Sequence, residues 1–433
     1  MTAKAGTHVA ATDEIDVEEF AARARIWLAD NMPPAPPRGG DSFLASTGEP
    51  DDQVLGRIKT CRDLQRRLAD GGFAGICVPR QYGGQGLTPA HQAAFNRELE
   101  GYDYPADIQA STFIPAMALL LEFGTEEQKE RHVPAILRGE EIWVQFLSEP
   151  TGGSDAAAAV TTARRDGDHW VLNGSKIWTT AAWYGDWAIC LARTDWSVDK
   201  HQGLTVFSFP VAAPGVDVHR IELVNGSREF CQEFLTDVVV PDADRLGEVG
   251  GGWAVVSRWL YHERTISGGS MYVTGRGNRP NEGPYETRAM IARARRQGSF
   301  GDPRTRDLIG QAHALALTRD AMVSAVTAQM AAGALPHHAA AMIRLFSGTT
   351  TARRATIGMQ LGGRDTVVWS PDEDDYARLG AGYLARQVAC IGGGTTEMAR
   401  NVISERLMGM PREPRNDAGP FRDVPRGPQG RIS

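Results

Sequence analysis

The chain has 433 residues, of which 42% are hydrophobic and 23% charged, and its formal net charge is −7. This composition is typical of a globular protein with two or three domains. The acidic balance, the lack of a Lys/Arg-rich block and the short apolar runs argue against nucleic-acid and membrane partners, and the five scattered cysteines fit a reducing cytoplasm without a disulfide framework or metal site.

The first third of the chain has helical periodicity. Residues 1–12 are small and polar and predict a disordered tail. Helices are predicted from Asp16, over 51–70, from Thr88, over 113–123, and from Thr125 to near Gly139. In the second helix, the residues spaced for burial are Leu55, Ile58, Leu64 and Leu68. We therefore expect an N-terminal helical domain over residues 13–141.

The middle of the chain changes to alternating and short apolar runs, which predict a β-domain of barrel or sandwich type over residues 142–248. Two of its strands are expected at Ala156–Val160 and Trp170–Leu172, with a turn at Asp166–Asp168. No G-x-G-x-x-G sequence follows a strand and opens a helix, so a Rossmann site is not indicated.

Helical spacing returns after Gly250–Gly252. Helices are predicted at 253–268, 285–297, 302–332, 336–360 and 394–409, with a Gly/Pro/Asn-rich insertion at 275–284 and a Pro/Arg/Gly-rich tail at 413–433. The C-terminal domain, residues 249–412, is thus expected to be a four-helix bundle. The fold class is an α+β multidomain protein in which a β-domain separates two helical domains.

Two runs in the β-domain carry the clearest chemical signal. The run Trp143–Asp155 leaves a strand and enters a Ser-Glu-Pro-Thr-Gly-Gly-Ser-Asp turn. Such a turn exposes backbone N–H groups and serine hydroxyls. The run Leu172–Ala181 adds Trp178, a flat face for stacking, beside Thr179 and Thr180. The pair suggests a flat, polar-edged cofactor, although each run alone is equally typical of a tight turn with a core tryptophan.

Two glycine-rich motifs lie among the C-terminal helices. Gln360-Leu-Gly-Gly363 is the first, and Ile391-Gly-Gly-Gly-Thr-Thr-Glu-Met-Ala-Arg-Asn401 is the second. Thr395 is expected to be the N-cap of a helix that follows the glycines, and such a helix start favours anions. Alone, it is more typical of a plain helix start.

Together, these motifs resemble the acyl-CoA dehydrogenase family, whose middle β-domain carries similar Ser-Glu-Pro and Asn-Gly-x-Lys-x-Trp-x-Thr runs. The resemblance implies FAD as the cofactor. The flavin contacts that it implies are Gln145, Leu147, Ser148, Gly153, Ser154, Trp178 and Thr180. It implies Thr395 and Glu397 as adenosine contacts, and it implies that Gln360, Gly362 and Gly363 reach the FAD of a neighbouring subunit. The family has two residues between that Gln and the Gly pair, and this chain has one.

The resemblance also concerns the catalytic base. Many members carry a Glu where this chain has Gly393, whose amide is still expected to serve the thioester carbonyl. The family's alternative is a Glu before an Arg in the first C-terminal helix, which matches Glu263. We therefore expect Glu263 as base and Ser154 and Arg264 as substrate contacts. Glu149 and Glu397, the competing carboxylates, are expected to make cofactor contacts or structural hydrogen bonds.

The implied reaction is α,β-dehydrogenation of an acyl-CoA thioester, with electrons passed to an electron-transfer flavoprotein. A homodimer or homotetramer is expected, or a heterotetramer with a related subunit. Two alternatives stay open: a non-catalytic partner subunit, favoured by Gly393, and a flavin oxidase or monooxygenase. The sequence does not identify the acyl group. A base on the earlier helix goes, in the family, with branched, long or bulky acyl chains.

Overall fold

The computed structural model describes residues 15–35, 48–109, 114–265, 271–272, 284–368, 374–412, 414 and 417–424, with the backbone alone at 264–265 and 374–376. The predicted N-terminal tail, residues 1–12, and residues 275–283 of the predicted insertion lie outside these ranges. Helices come first, one mixed sheet follows, and further helices come after it. This order confirms the predicted fold class.

The N-terminal helices are α1 (Val17–Asn31), α2 (Asp51–Asp70), α3 (Pro89–Glu98), α4 (Ala106–Ile108), α5 (Ile114–Phe123) and α6 (Glu126–Leu137). The Asp16 carboxylate accepts from the Glu18 amide at 3.1 Å, and Thr125 forms a capping box with Gln128, so α1 and α6 begin at the predicted positions. The prediction for Leu55 is wrong. Its exposed fraction is 47%, because Val54, four residues before Ile58, takes the core position on α2.

The sheet has eight strands among the described residues: β1 (Trp143–Phe146), β2 (Thr162–Asp166), β3 (His169–Thr180), β4 (Trp187–Arg193), β5 (Leu204–Pro210), β6 (Val216–Arg220), β7 (Phe230–Pro241) and β8 (Arg245–Leu246). Their order is β6-β7-β3-β2-β4-β5-β8, and β1 pairs in parallel with β4. The long pairing of β3 with β7 places the second predicted motif at the centre of the sheet. The predicted turn joins β2 to β3.

The predicted strand over Ala156–Val160 is wrong. Ala156–Ala158 forms a 3-10 turn. The carbonyls of Ala157 and Ala159 accept from Arg193 at 2.6 and 2.9 Å, and the Val160 amide donates to Glu149 at 2.7 Å. Because side chains occupy these backbone groups, the segment does not pair as a strand.

The C-terminal helices are α7 (Gly252–Thr265), α8 (Thr287–Arg296), α9 (Pro303–Ala331), α10 (Ala340–Gly362), α11 (Asp374–Ala385) and α12 (Thr396–Val402). A π-helical turn, Ile403–Leu407, extends α12. Helix α11 and the 3-10 helix after it, Arg386–Cys390, are not predicted by the sequence patterns. The remaining predicted helices are present with small shifts at their ends.

The largest hydrophobic core joins the N-terminal helices, one face of the sheet and α7. Trp143 of β1 and Val255, Val256 and Trp259 of α7 are fully or almost fully buried in it. A second core, on other residues of the sheet, includes Phe207. Since β1 and α7 share one close-packed core, residues on the two elements are held at fixed relative positions.

The described ranges contain neither a membrane-spanning helix nor a cluster of metal ligands. None of the helices there is long and apolar enough to cross a membrane. In the same part of the chain, no group of three or more His, Cys, Asp or Glu side chains is placed to hold a metal ion.

Candidate functional site

The turn after β1 is closed by its own backbone. The Glu149 amide donates to the Gly152 carbonyl at 3.1 Å, and the Gly152 amide donates back to the Glu149 carbonyl at 3.0 Å. The Ile177 amide of β3 donates to the Ser148 carbonyl at 2.9 Å. Gly153 and Ser154 lie exposed at the tip of the turn. The two motifs predicted to share a site are therefore adjacent.

A buried ion pair supports this turn from below. Lys176 of β3 donates to Glu149 Oε1 at 2.8 Å and to the Leu147 carbonyl at 3.2 Å. Both charged side chains are almost fully buried. Glu149 also accepts from the Val160 and Thr161 amides at 2.7 and 2.9 Å. Burial alone would raise the pKa of the Glu149 carboxyl, but Lys176 and these amides hold it below its usual value. The expected structural hydrogen bonds of Glu149 are thus present.

Trp178 lies in a strained bulge of β3. The pairing with β7 shifts register between Ile177 and Thr179, and Trp178 has φ 66°, a left-handed conformation that is rare for a bulky residue. The bulge leaves 53% of this residue exposed, with Phe230 edge-on at 6.0 Å. Such strain persists where the surrounding structure imposes it, often at ligand sites. The strand therefore presents an open indole next to Thr180.

A second buried carboxylate, Glu233, lies behind this strand. It pairs with Lys176 across β3 and β7, and its Oε2 accepts from the Thr179 hydroxyl at 2.9 Å. Its Oε1 is buried and has no hydrogen-bond partner among the residues that the structure describes. Burial raises the pKa of Glu233 to about 7, although Thr179 and Lys176 oppose the rise. The pattern of alternating residues in β7 gives no signal for this group, and the sequence analysis missed it.

We expect Glu233→Gln to change how stability depends on pH. The folded protein keeps a proton on Glu233 up to about pH 7, whereas an ordinary Glu releases it near 4.5. The protonated group thus contributes stability below pH 4.5, and that contribution is lost as the pH rises to 7. The neutral Gln avoids the loss, so the variant should gain up to about 3 kcal/mol over the parent between pH 5 and 8.

The measurement is the thermal midpoint of both proteins across that pH range. Glu130→Gln, at an exposed glutamate of α6, is the control and should leave the pH dependence unchanged. A constant difference between parent and Glu233→Gln would show that Glu233 titrates alike in both states.

The predicted base lies beside the residue that replaces the family's usual base. Glu263 is partly buried on α7. Its Oε1 lies 3.6 Å from the position that a Cβ of Gly393 would occupy. The carboxylate of Glu263 on α7 thus lies next to the Cβ position of residue 393, which is in the loop before α12.

The backbone at Gly393 is unsuited to a side chain. Gly393 has φ 73° and Gly394 has φ 97°, a region that favours glycine. Arg344 of α10 fixes this loop by donating to the Gly394 carbonyl and the Ala389 carbonyl, both at 2.7 Å. Its Nε is 3.8 Å from the same Cβ position at Gly393. A carboxylate and a guanidinium therefore both border Gly393.

A hydrogen bond between distant residues fixes α7, which carries the predicted base, to the sheet. The indole N–H of Trp259, one turn before Glu263, donates to the side-chain oxygen of Gln145 on β1. The Thr179 hydroxyl of β3 lies 3.2 Å from the Gln145 carbonyl. A contact path thus runs from the Trp178 strand through Gln145 to α7. Trp259 was missed because its partner is 114 residues away.

The outer side of α7 is fixed to α5. The Glu122 carboxylate accepts two hydrogen bonds from the Arg258 guanidinium, both at 2.7 Å, in a bidentate ion pair. His262 Nε2 lies 2.7 Å from Glu122 Oε1. Burial opposes the ionisation of Glu122, but these partners hold its pKa below the usual value. Burial lowers the pKa of His262. These contacts set the rotation of α7 and hence the direction of Glu263.

Thr395 is the N-cap of α12, as predicted. Its hydroxyl accepts from the Met398 amide at 3.1 Å. The Glu397 carboxylate is exposed and accepts from the Thr396 hydroxyl at 3.2 and 3.1 Å and from Arg400 at 3.3 Å. Glu397 thus has the expected structural hydrogen bonds. Contact of Thr395 or Glu397 with a cofactor stays a prediction.

The other glycine-rich motif lies apart from the loop at Gly393. Gln360, Gly362 and Gly363 line an open cavity of about 590 Å³ with Arg304 and other residues at the start of α9. The Cβ position of Gly348 lies 3.2 Å from Thr396, and Gly348 is twelve residues before Gln360 on α10, or roughly 18 Å along the helix. The structure therefore brings Glu263, Gly393 and Thr395 to one region and leaves Gln360–Gly363 outside it.

The remaining predicted contacts are placed as follows. Leu147 and Thr180 are half-buried at the ends of the two motifs. The side chain of Arg264 lies outside the described residues. The role of each predicted site residue as a contact of flavin or substrate stays a prediction.

Comparison with protein-family models gives three consecutive matches. They are the acyl-CoA dehydrogenase N-terminal domain over residues 46–140, the middle domain over 145–238 and the C-terminal domain over 250–408. The middle-domain match begins at Gln145, so it contains the second β-domain motif and all but the first two residues of the first. The C-terminal match contains Glu263 and Gly393.

Known proteins align over almost the whole chain. Acyl-CoA dehydrogenase IpdE1 of Mycobacterium tuberculosis is 33% identical over 402 residues, which cover 92% of this chain and 99% of that protein. Among solved structures, the Tcur3481-Tcur3483 steroid ACAD has a TM-score of 0.71 at 24% identity, covering 92% and 98% of the two chains. The ChsE4-ChsE5 complex from Mycobacterium tuberculosis has a TM-score of 0.68 at 23% identity, covering 94% and 100%.

These structural neighbours share the fold, and the curated relative shares sequence across all three domains. The consecutive domain matches agree with the order of helices, sheet and helices in the structure. The chain belongs to the acyl-CoA dehydrogenase family of flavoprotein oxidoreductases.

Proposed function

We propose that this chain catalyses the α,β-dehydrogenation of an acyl-CoA thioester with Glu263 as the base. One observation carries the proposal: Glu263 Oε1 lies 3.6 Å from the Cβ position of Gly393, where many family members have the base. The left-handed backbone at Gly393 disfavours a side chain there. Glu263 reaches the same place from α7.

The residues of the β-domain fit FAD. A strained, half-exposed indole at Trp178 offers a stacking face, and the Ser148–Asp155 turn offers exposed backbone and hydroxyl donors at its tip. Ser148, Ser154, Trp178 and Thr180 would hold the flavin. When bound, the flavin accepts the hydride that leaves the β-carbon of the substrate.

Glu263 would remove the α-proton of the thioester. A general base must lie within hydrogen-bonding reach of that proton, so the substrate α-carbon is expected beside Gly393. The Gly393 amide would donate to the thioester oxygen as negative charge develops on it. Arg344, which borders the same position, adds a positive charge near the developing anion.

The cavity at Gln360–Gly363 would serve a second subunit. It lies roughly 18 Å along α10 from the Gly393 region, and a neighbouring subunit's FAD is its proposed occupant. A dimer or tetramer would bring this cavity to the adenosine end of a neighbour's FAD. An electron-transfer flavoprotein is the proposed acceptor of the electrons.

The substrate is proposed to be a bulky acyl-CoA. A base on α7 goes with branched, long or bulky acyl groups in the family, and one structural neighbour is a steroid acyl-CoA dehydrogenase by its title. The ChsE4-ChsE5 neighbour is described as a complex. A heteromer with a related subunit is therefore the second candidate assembly.

A spectroscopic assay tests the proposal. The purified protein should show a bound flavin spectrum, and anaerobic addition of short, branched, long and polycyclic acyl-CoA thioesters should bleach it with at least one of them. Peroxide formation after air is admitted would identify an oxidase. Flavin that is bound but not bleached by any thioester, with Glu263 intact, would favour the non-catalytic partner subunit.

A further inference from the structure

Residues 417–424, named here the C-terminal clasp, lie against the loop that follows β4. The Phe421 amide donates to the Val198 carbonyl at 2.8 Å, and the Arg422 amide donates to the Trp196 carbonyl at 3.0 Å. The Phe421 ring stacks on Trp196 at 5.6 Å and is 1% exposed. The described part of the predicted tail is thus packed on the chain's own β-domain.

The clasp covers Arg193, a buried arginine that also holds the segment after the Ser148–Asp155 turn. Arg193 is fully buried, and it donates to the carbonyls of Ala157, Ala159 and Lys200 at 2.6 to 3.2 Å. Its guanidinium carbon lies 3.6 Å from the centre of the Phe421 ring. A desolvated cation over an aromatic face is a favourable contact. Phe421 therefore closes the site in which Arg193 fixes Ala157.

Lys200 connects the clasp directly to the Ser148–Asp155 turn. Its ammonium donates to Asp155 Oδ2 at 2.7 Å, and it pairs with Asp417 Oδ2 at 2.5 Å. The Lys200 side chain is 9% exposed, whereas the side chains of Asp417 and Asp155 are 22% and 52% exposed, so the ammonium is shielded from water and the Asp155 carboxylate is half open to it. Asp155 ends the Ser148–Asp155 turn and follows Ser154. Charge-assisted hydrogen bonds of this kind are stronger than neutral ones.

We propose that the C-terminal clasp positions the Ser148–Asp155 turn, with Lys200 and Asp417 as positioning residues for flavin binding. The clasp reaches the turn directly through Lys200 and Asp155, and it reaches the 3-10 segment that follows the turn through Phe421, Arg193 and Ala157. Its effect on flavin rests on the function proposed above. The structural effect on the turn does not.

The test compares variants of the full chain. Lys200→Met and Asp417→Asn remove the direct route, and a stop codon after Arg412 removes the clasp. A stop codon after Val424 leaves the clasp in place, Lys200→Arg keeps the charge, and Asp423→Asn changes an exposed neighbour in the clasp. The measurements are amide hydrogen exchange of residues 148–160 and the rate at which flavin is released.

Lys200→Met, Asp417→Asn and the stop after Arg412 should each speed both exchange and flavin release, by about tenfold for a lost charge-assisted bond. Lys200→Arg, Asp423→Asn and the stop after Val424 should behave like the parent. Unchanged exchange after removal of the clasp would overturn the proposal, and so would faster exchange with unchanged flavin release. If the parent binds no flavin, the proposed function fails, and hydrogen exchange still decides whether the clasp holds the turn.

Discussion

Glu263→Gln should retain flavin and lose about 10³-fold in the rate of flavin bleaching by an acyl-CoA, within the range that a general base contributes. The amide keeps the size of the side chain beside Gly393 but cannot accept the α-proton. Because the Trp259–Gln145 and Glu122–Arg258 contacts that hold α7 are untouched, the fold should be preserved. Stopped-flow absorbance of anaerobic protein mixed with substrate measures the effect.

Glu130→Gln is the matched control, since this glutamate is exposed on α6, and it should bleach at the parent rate. The flavin content and the thermal midpoint of both variants separate loss of chemistry from loss of structure. Parent-like bleaching by Glu263→Gln would remove this residue from the role of base and direct attention to another group near Gly393.

Lys176→Met should lower the free energy of unfolding by about 3–5 kcal/mol, because it leaves the buried Glu149 carboxylate without its cation. Lys176 and Glu149 are 0% and 2% exposed at their side chains. The variant also loses the hydrogen bond from Lys176 to the Leu147 carbonyl, just before the Ser148–Asp155 turn. Thermal and denaturant unfolding measure the loss, and flavin content should fall with it.

The double variant Glu149→Gln, Lys176→Met tests the reason for that loss. It removes both charges, so it should recover a large part of the stability lost by Lys176→Met alone. Glu149→Gln alone leaves a buried ammonium and should be destabilised as well. Losses that simply add in the double variant would show that the two side chains do not interact.

Local signals in the sequence predicted many of the element boundaries. Asp16, Thr125 and Thr395 cap helices because the side-chain oxygen of each accepts from a backbone amide two or three residues later. Such caps can be predicted from a few neighbouring residues in the sequence. Helix α2 has the predicted limits, 51–70. The Ser148–Asp155 turn and strand β3, which carries Trp178, are adjacent in the structure, as predicted for two motifs that share one site.

Contacts between distant segments were not predictable in the same way. The 3-10 turn at Ala156–Ala158 depends on Arg193 and Glu149, which take up the backbone groups that a strand would need. Burial raises the pKa of Glu233 because β7 places this side chain in a buried layer of the sheet, although Lys176, its partner on β3, opposes the rise. No local pattern indicates these partners.

The predicted base illustrates both local signals and contacts between distant segments. The His-Glu-Arg sequence at 262–264 indicated Glu263 by resemblance, and the missing side chain at Gly393 raised the alternative of a non-catalytic subunit. Only the fold, through the packing of α7 and the loop held by Arg344, places the two residues side by side. Left-handed glycines at 393 and 394 give that departure from the family pattern a physical reason.

The most direct test is the structure of the flavin-loaded protein with an acyl-CoA thioester that it bleaches slowly. We expect the carboxylate of Glu263 within hydrogen-bonding reach of the α-carbon proton, about 3 Å, and the thioester oxygen on the Gly393 amide. A thioester bound with its α-carbon far from Glu263, or a Glu263 carboxylate turned towards solvent, would contradict it.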